Sequence, residues 1–202
     1  MASQQDLFAD PTPGKALPAG MQYRTDFITL DEERTLLEFI GSLQLENARY
    51  RQYTARRKTV SFGAGYDFTH NIATPAPEIP APLGWLRERA ASWVGIESGA
   101  FVQALIARYE PGTPLGWHRD VPNYELIVGL SLASAARIRF RPYPWSGERS
   151  TEVFALNAAA RSAYVLAGPA RWQWQHSVPP VKTLRYSITL RTANQERLSH
   201  PS

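Results

Sequence analysis

Phe101-Val102-Gln103-Ala104-Leu105-Ile106-Ala107-Arg108-Tyr109 is one apolar run, and it opens a β pattern that continues almost to residue 191. Further runs follow at Tyr124–Leu132, at Arg137–Arg141 (alternating Arg-Ile-Arg-Phe-Arg), and at Val153–Leu156, Ala163–Leu166, Trp172–His176 and Leu184–Arg191. Turn residues separate them at short intervals. Many short strands with turn signals between them predict a sandwich or barrel, here of about seven or eight strands.

The chain before this block reads differently. Residues 1–20 are rich in Pro, Gly and Ala and are expected to form a loose tail. Thr29-Leu30-Asp31-Glu32 has the S/T-x-x-E form of a capping box, and Leu36, Leu37, Phe39, Ile40 and Leu43 follow at helical spacing. A basic stretch (Arg49, Arg51, Arg56, Arg57, Lys58) leads into Thr59–Gly63, which reads as strand and turn. Pro75, Pro77, Pro80 and Pro82 make 75–82 an extended loop, and a second helix runs from about Pro82 to Val94. The expected organisation is mainly β with flanking helices (α+β). One domain spans 21–195, with helices and lead-in over 21–100 and the β core over 101–195, and 196–202 forms a second tail.

The 202 residues suit a single domain with a sizeable core. There is no cysteine, which excludes disulfides, thiolate zinc sites and cysteine nucleophiles, so a metal must sit on His, Asp or Glu. Met1–Ala9 carries Asp6 and no apolar segment, and no run approaches the roughly 20 apolar residues of a membrane span. A cytoplasmic monomer is expected. The net charge of +4 permits a nucleic-acid partner without requiring one.

Chemistry concentrates at Gly116-Trp117-His118-Arg119-Asp120. On an extended backbone His118 and Asp120 point to one face and can reach one ion. Of the other histidines, His200 lies in the tail and His70 has no partner at ligand spacing, whereas His176 lies in a β segment. Trp172 and Trp174 are expected to share its face. Two imidazoles and a carboxylate form a facial triad with open coordination positions. They also suit zinc, but zinc gives no role to two arginines further on. Those lie in Arg185-Tyr186-Ser187-Ile188-Thr189-Leu190-Arg191. As a strand this segment puts Arg185, Ser187, Thr189 and Arg191 on one face. That face belongs either to a half-exposed edge strand or to a concave site in which Arg grips a carboxylate. Arg137, Arg139 and Arg141 form a second one-face stripe, either a solvated sheet face or a phosphate-tracking surface.

Leu105-Ile106-Ala107-Arg108-Tyr109-Glu110-Pro111-Gly112, His118-Arg119-Asp120, His176 and the Arg-Tyr-Ser-Ile-Thr-Leu-Arg strand, taken in order, resemble the AlkB family of iron(II)- and 2-oxoglutarate-dependent dioxygenases. The resemblance implies a double-stranded β-helix (jelly-roll) core with an N-terminal substrate lid. It implies Fe(II) on His118, Asp120 and His176, and O2 and 2-oxoglutarate as cosubstrates. Tyr109 and Arg185 would hold the far carboxylate of 2-oxoglutarate, and Arg191 would lie near the chelating end and brace Asp120. Ser187 and Ala107 stand where the family often has Asn. The lid would run through Arg57–Gly63 to Tyr66-Asp67-Phe68. Tyr66 and Phe68 would contact a flipped base, with Arg57 as polar support and Trp117 beside the substrate. The implied substrate is alkylated DNA or RNA, single-stranded or with a flipped base, and the implied reaction is oxidative demethylation. A protein side chain or small molecule is the alternative substrate, and a non-catalytic binding module is a third reading.

Overall fold

The computed structural model describes residues 17–50, 53–67, 72–145 and 154–195. In chain order the elements are β1 Met21–Arg24, α1 Leu30–Gly41, β2 Glu46–Tyr50, β3 Tyr53–Phe62, β4 Ala64–Asp67, β5 Ile72–Pro75, α2 Gly84–Val94, β6 Phe101–Tyr109, β7 Leu115–His118, β8 Tyr124–Leu132, β9 Ala136–Pro142, β10 Phe154–Ala158, β11 Ala163–Leu166, α3 Gly168–Trp172, β12 Trp174–Val178 and β13 Arg185–Ala193. Seven strands form one antiparallel sheet in the order β1-β11-β8-β13-β6-β3-β2. Four form a second in the order β10-β9-β12-β7, and β4 and β5 make a separate hairpin. The two larger sheets build a jelly roll, and β6 to β13 are its C-terminal strands.

Alternation along the strands gives the large sheet two unlike faces. On one, Ile106, Val128, Leu130, Leu132, Ile188 and Leu190 pack against Leu36, Ile40, Leu83, Leu86 and Ala90 of the helical layer. The other face looks toward the small sheet and closes a second core around Tyr109, Ile127, Ile138, Phe140, Leu156 and Tyr164. The capping box forms as read: Thr29 N donates to Glu32 Oε2 at 2.8 Å and Glu32 N donates to Thr29 Oγ1 at 3.2 Å. Glu32 also takes two bonds from Arg89 of α2, at 2.7 and 2.6 Å, so one carboxylate caps α1 and ties it to α2.

The structure departs from the sequence reading in three places and decides between two readings in a fourth. Trp172 ends α3 and does not share a strand face with His176, because a helical turn beginning at Gly168-Pro169 replaces the start of the expected strand. Residues 17–20, read as tail, are held to the core: the amides of Ala167 and Ala170 donate to Gly20 and Ala19. The expected boundary at residue 100 is crossed, since β1, β2 and β3 all join the large sheet. Finally, β13 lies in the middle of that sheet, between β8 and β6, so its polar face cannot be a solvated edge. No helix among the described residues is long and apolar enough to cross a membrane.

Candidate active site

β7 and β12 are antiparallel neighbours, and His118 sits directly opposite His176. Cross-strand partners share a face, and the two rings lie 4.2 Å apart between centroids. Asp120, just beyond β7, turns to the same point: its Oδ1 is 3.6 Å from His118 Nε2 and 4.0 Å from His176 Nε2. One ligand atom from each residue falls within 4.8 Å of the others.

The protonation of His176 and Asp120 suits a metal. His118 Nδ1 is 2.9 Å from the Gly116 carbonyl oxygen. Donating the proton there leaves Nε2 as the free lone pair. Burial, reinforced by the neighbouring His118, pushes the His176 pKa down to about 3, so this ring is neutral near pH 7. Burial alone would raise the pKa of Asp120. The Arg191 charge overcomes it and holds the carboxyl well below the usual carboxylate range. Neutral imidazoles and an ionised carboxylate are the forms a divalent cation requires.

Two arginines fix Asp120. Arg191 Nε donates to Asp120 Oδ2 at 3.0 Å, and its other arm donates to Gln103 Oε1 at 2.8 Å. Gln103 Nε2 in turn donates to Ser61 Oγ at 3.0 Å and to the Ala64 carbonyl at 2.7 Å. A continuous chain of bonds thus runs from the carboxylate to the turn between β3 and β4. Gly63 in that turn has φ +80°, and a Cβ there would meet the Val102 carbonyl oxygen at 2.1 Å, so the turn is pressed onto β6. Arg171 of α3, 2% exposed, works from the other side. Its guanidinium donates to the carbonyls of Asp120 at 3.1 Å, Val121 at 2.7 Å and Tyr124 at 2.9 Å.

The inner face of the large sheet supplies the rest. Arg185, 2% exposed, lies opposite Tyr109 and over its ring at 5.0 Å. Its Nε and Nη2 donate to Ser131 Oγ at 3.2 and 3.0 Å, and it pairs with no carboxylate among the described residues. A buried guanidinium held only by neutral groups is costly, and an anionic guest removes that cost. Ser187 faces Ala107 on one side and Ser131 on the other, so the strand partners next to Arg185 on this face carry short side chains. The Tyr164 ring lies across Gly129, where a Cβ would come 2.3 Å from its Cζ. Burial pushes the Tyr164 pKa up to about 12, so its hydroxyl remains a donor.

The family model of the 2OG-Fe(II) oxygenase superfamily matches residues 30–199. This chain belongs to that superfamily. It is accordingly an Fe(II)- and 2-oxoglutarate-dependent dioxygenase that uses O2. It is 27% identical to the Uncharacterized protein L905 of Acanthamoeba polyphaga mimivirus, over 87% of this chain and 85% of that one. It is 28% identical to the Alkylated DNA repair protein ALKBH8 homolog of Arabidopsis thaliana (79% of this chain, 51% of that protein). To the mouse tRNA (carboxymethyluridine(34)-5-O)-methyltransferase ALKBH8 it is 29% identical (83% and 25%). The chain therefore spans about half the length of the Arabidopsis relative and a quarter of the mouse one. Among solved structures, OsALKBH1 superposes with a TM-score of 0.65 at 16% identity, covering 88% of this chain and 98% of that one. A prolyl hydroxylase from Trichoplax adhaerens, in complex with a hypoxia inducible factor peptide, gives 0.64 at 14% identity, covering 91% and 87%. At these identities the likeness is one of fold.

Within this superfamily member, His118, Asp120 and His176 come together, Arg191 joins them, and Tyr109, Arg185 and Ser187 gather nearby on the inner face. Arg57 lies half-buried on β3, and its Nε has no hydrogen-bond partner among the described residues. Tyr66 falls on β4 by its backbone, opposite Ala73, and Phe68 lies outside the described residues. Trp117 alternates with His118 and so faces away from the cluster, under Arg139 and Arg141. Sequence reasoning missed Gln103, Arg171 and Tyr164. Gln103 had a signal, being the lone polar residue in the first seven of β6; Arg171 and Tyr164 had none.

Proposed function

We propose that the enzyme oxidises N-alkylated bases of DNA or RNA. In this reading His118, Asp120 and His176 hold Fe(II), Tyr109 and Arg185 grip the far carboxylate of 2-oxoglutarate, and Ser187 and Arg191 line the remainder of its pocket. One combination carries the reading: a converging His-Asp-His cluster and a buried Arg185 that meets no carboxylate among the described residues, in a chain related to proteins named for alkylated-DNA repair and for tRNA modification.

The bound metal, with 2-oxoglutarate and O2, supplies hydroxylation of a C–H bond: one oxygen atom enters the substrate, the other enters succinate, and CO2 leaves. On an N-methyl group the product is N–CH2–OH. Its hydroxyl proton returns to the base nitrogen as the C–N bond breaks, releasing formaldehyde. The chain's part is positional. Arg191 and Arg171 hold Asp120 in place, and Arg185 orients the dicarboxylate. A base reaches such a pocket only when unstacked, and Arg57, Tyr66 and Phe68 of the β3–β5 region are the residues we assign to receive it.

The test is incubation with Fe(II), 2-oxoglutarate and methylated single-stranded DNA and RNA oligonucleotides. Formaldehyde and succinate in equal amounts, both lost in His118→Ala, support the reading. Succinate formation indifferent to every oligonucleotide contradicts it and turns attention to a protein side chain or small molecule.

A further inference from the structure

On β9, Ala136, Ile138 and Phe140 are buried in the core between the sheets, while Arg137 is exposed and Arg139 and Arg141 are half-buried on the opposite, outer face. Arg139 and Arg141 are held in order. Arg139 Nε donates to Ser177 Oγ at 3.1 Å and Arg141 Nε donates to Gln175 Oε1 at 2.8 Å, both acceptors standing on the neighbouring strand β12. The Trp117 ring, reaching across from β7, lies 5.1 Å from the Arg139 guanidinium and 4.5 Å from that of Arg141. The Trp145 ring lies 5.0 Å from the same Arg141 guanidinium. Anchoring through Nε and aromatic planes fixes the guanidinium planes and leaves their outer nitrogens for a guest.

Among the described residues no carboxylate compensates the charge of this face. Elsewhere arginines meet carboxylates, as Arg89 meets Glu32, Arg108 meets Glu110 and Arg161 meets Glu33. Arg137, Arg139 and Arg141 pair with none among the described residues. They stand two residues apart on one strand, about 7 Å per step, a spacing close to that of successive phosphates on an extended single strand. Planar cations interleaved with aromatic rings combine the two elements that bind single strands without regard to sequence.

The row also leads to the cluster. Trp117 immediately precedes His118 in the chain. Beyond Arg141, the Tyr143 ring is 43% exposed and sits 3.6 Å from the guanidinium of Arg119, the residue between His118 and Asp120. Arg119 is itself tied to the Trp172 carbonyl at 3.1 Å. The basic row thus ends beside the loop that carries a metal ligand.

We propose that the outer face of the four-stranded sheet, from Arg137 through Arg139, Trp117 and Arg141 to Tyr143, is a track for the phosphate backbone of a single-stranded nucleic acid, delivering the strand to the lip of the active site. This rests on the nucleic-acid reading above and adds a surface to it. The contacts are to backbone, so they set affinity and position and leave the choice of base to the pocket.

The experiment is fluorescence anisotropy with an unmethylated single-stranded oligonucleotide across a range of salt concentrations. It compares wild type with a variant carrying Arg137→Gln, Arg139→Gln and Arg141→Gln. A control carries Arg24→Gln, Arg34→Gln and Lys182→Gln, which removes the same charge from elsewhere. Circular dichroism and melting temperature verify that each is folded. The track variant should bind at least tenfold more weakly at low salt and lose about two from the slope of log K against log salt, at roughly 0.7 per phosphate contact. The control should lose much less. Equal weakening in both variants, or none in the track variant, overturns the track and leaves the demethylase reading standing. If wild type binds no oligonucleotide even at low salt, both fall. If the track variant keeps the oligonucleotide but loses an acidic peptide that wild type binds, the face belongs to a protein partner and the proposal is overturned.

Discussion

Arg191 Nε donates to Asp120 Oδ2 at 3.0 Å, and the same guanidinium reaches Gln103, so the carboxylate of the cluster is one end of a bonded chain that finishes at the β3–β4 turn. Asp120 keeps Oδ1 toward the histidines because Oδ2 is already taken.

Arg191→Met should weaken metal binding by about 10- to 100-fold, the usual effect of removing a group that orients a ligand. Gln103→Leu should weaken it less, because the Arg191–Asp120 bond survives. A Co(II) titration followed by absorbance measures both, and equal affinities for wild type and Arg191→Met would contradict the bracing role.

Arg171 spans three carbonyls of the segment after Asp120. Arg171→Met leaves those carbonyls unsatisfied, at about 1–3 kcal/mol for each buried group. A loss of about 3 kcal/mol in stability is expected, together with weaker metal binding, read from urea unfolding with and without metal. A variant as stable as wild type would show that water replaces the clamp.

Gly129 is there because Tyr164 lies over it. Gly129→Ala should cost about 2 kcal/mol through overpacking and should raise the KM for 2-oxoglutarate as the ring is displaced. Adding Tyr164→Ala should make the pair less damaging than the two changes summed. Strict additivity by thermal unfolding would contradict the contact.

Glu32 supplies a pH test. The hydrogen bonds from Arg89 bring its pKa from 4.5 to about 2, against the opposing effect of burial. A lowered folded pKa means stabilisation that is fully present above the unfolded value and lost as pH falls from about 4.5 toward 2. The pair is partly exposed, so its worth is discounted to about 1 kcal/mol. Glu32→Gln should be less stable than wild type by that amount at pH 7, with the gap closing near pH 2. A gap that is constant with pH would assign the effect to packing.

Local signals in the sequence carried far. The Thr29–Glu32 cap, the β runs from Phe101 onward and the i, i+2 pairing of His118 with Asp120 depend on near neighbours, and periodicity reads near neighbours well. What stayed hidden depends on contacts between distant segments. Trp172 reads as strand because an alternating aromatic run resembles one, while the helical turn of α3 depends on Gly168-Pro169 and on Arg171 reaching the Asp120 loop. The Tyr164–Gly129 contact joins two strands whose register no single run reveals. Residues 17–20 read as tail on composition, yet the carbonyls of Ala19 and Gly20 accept from the amides of Ala170 in α3 and of Ala167 just before it.

The most direct test of the central claim is anaerobic Fe(II) binding, measured as iron retained per chain after gel filtration, for wild type and for His118→Ala, Asp120→Ala and His176→Ala, each verified as folded by circular dichroism. One iron per wild-type chain and little or none in each variant is the predicted result. Full iron retention in all three variants would contradict the assignment of this cluster as the metal site.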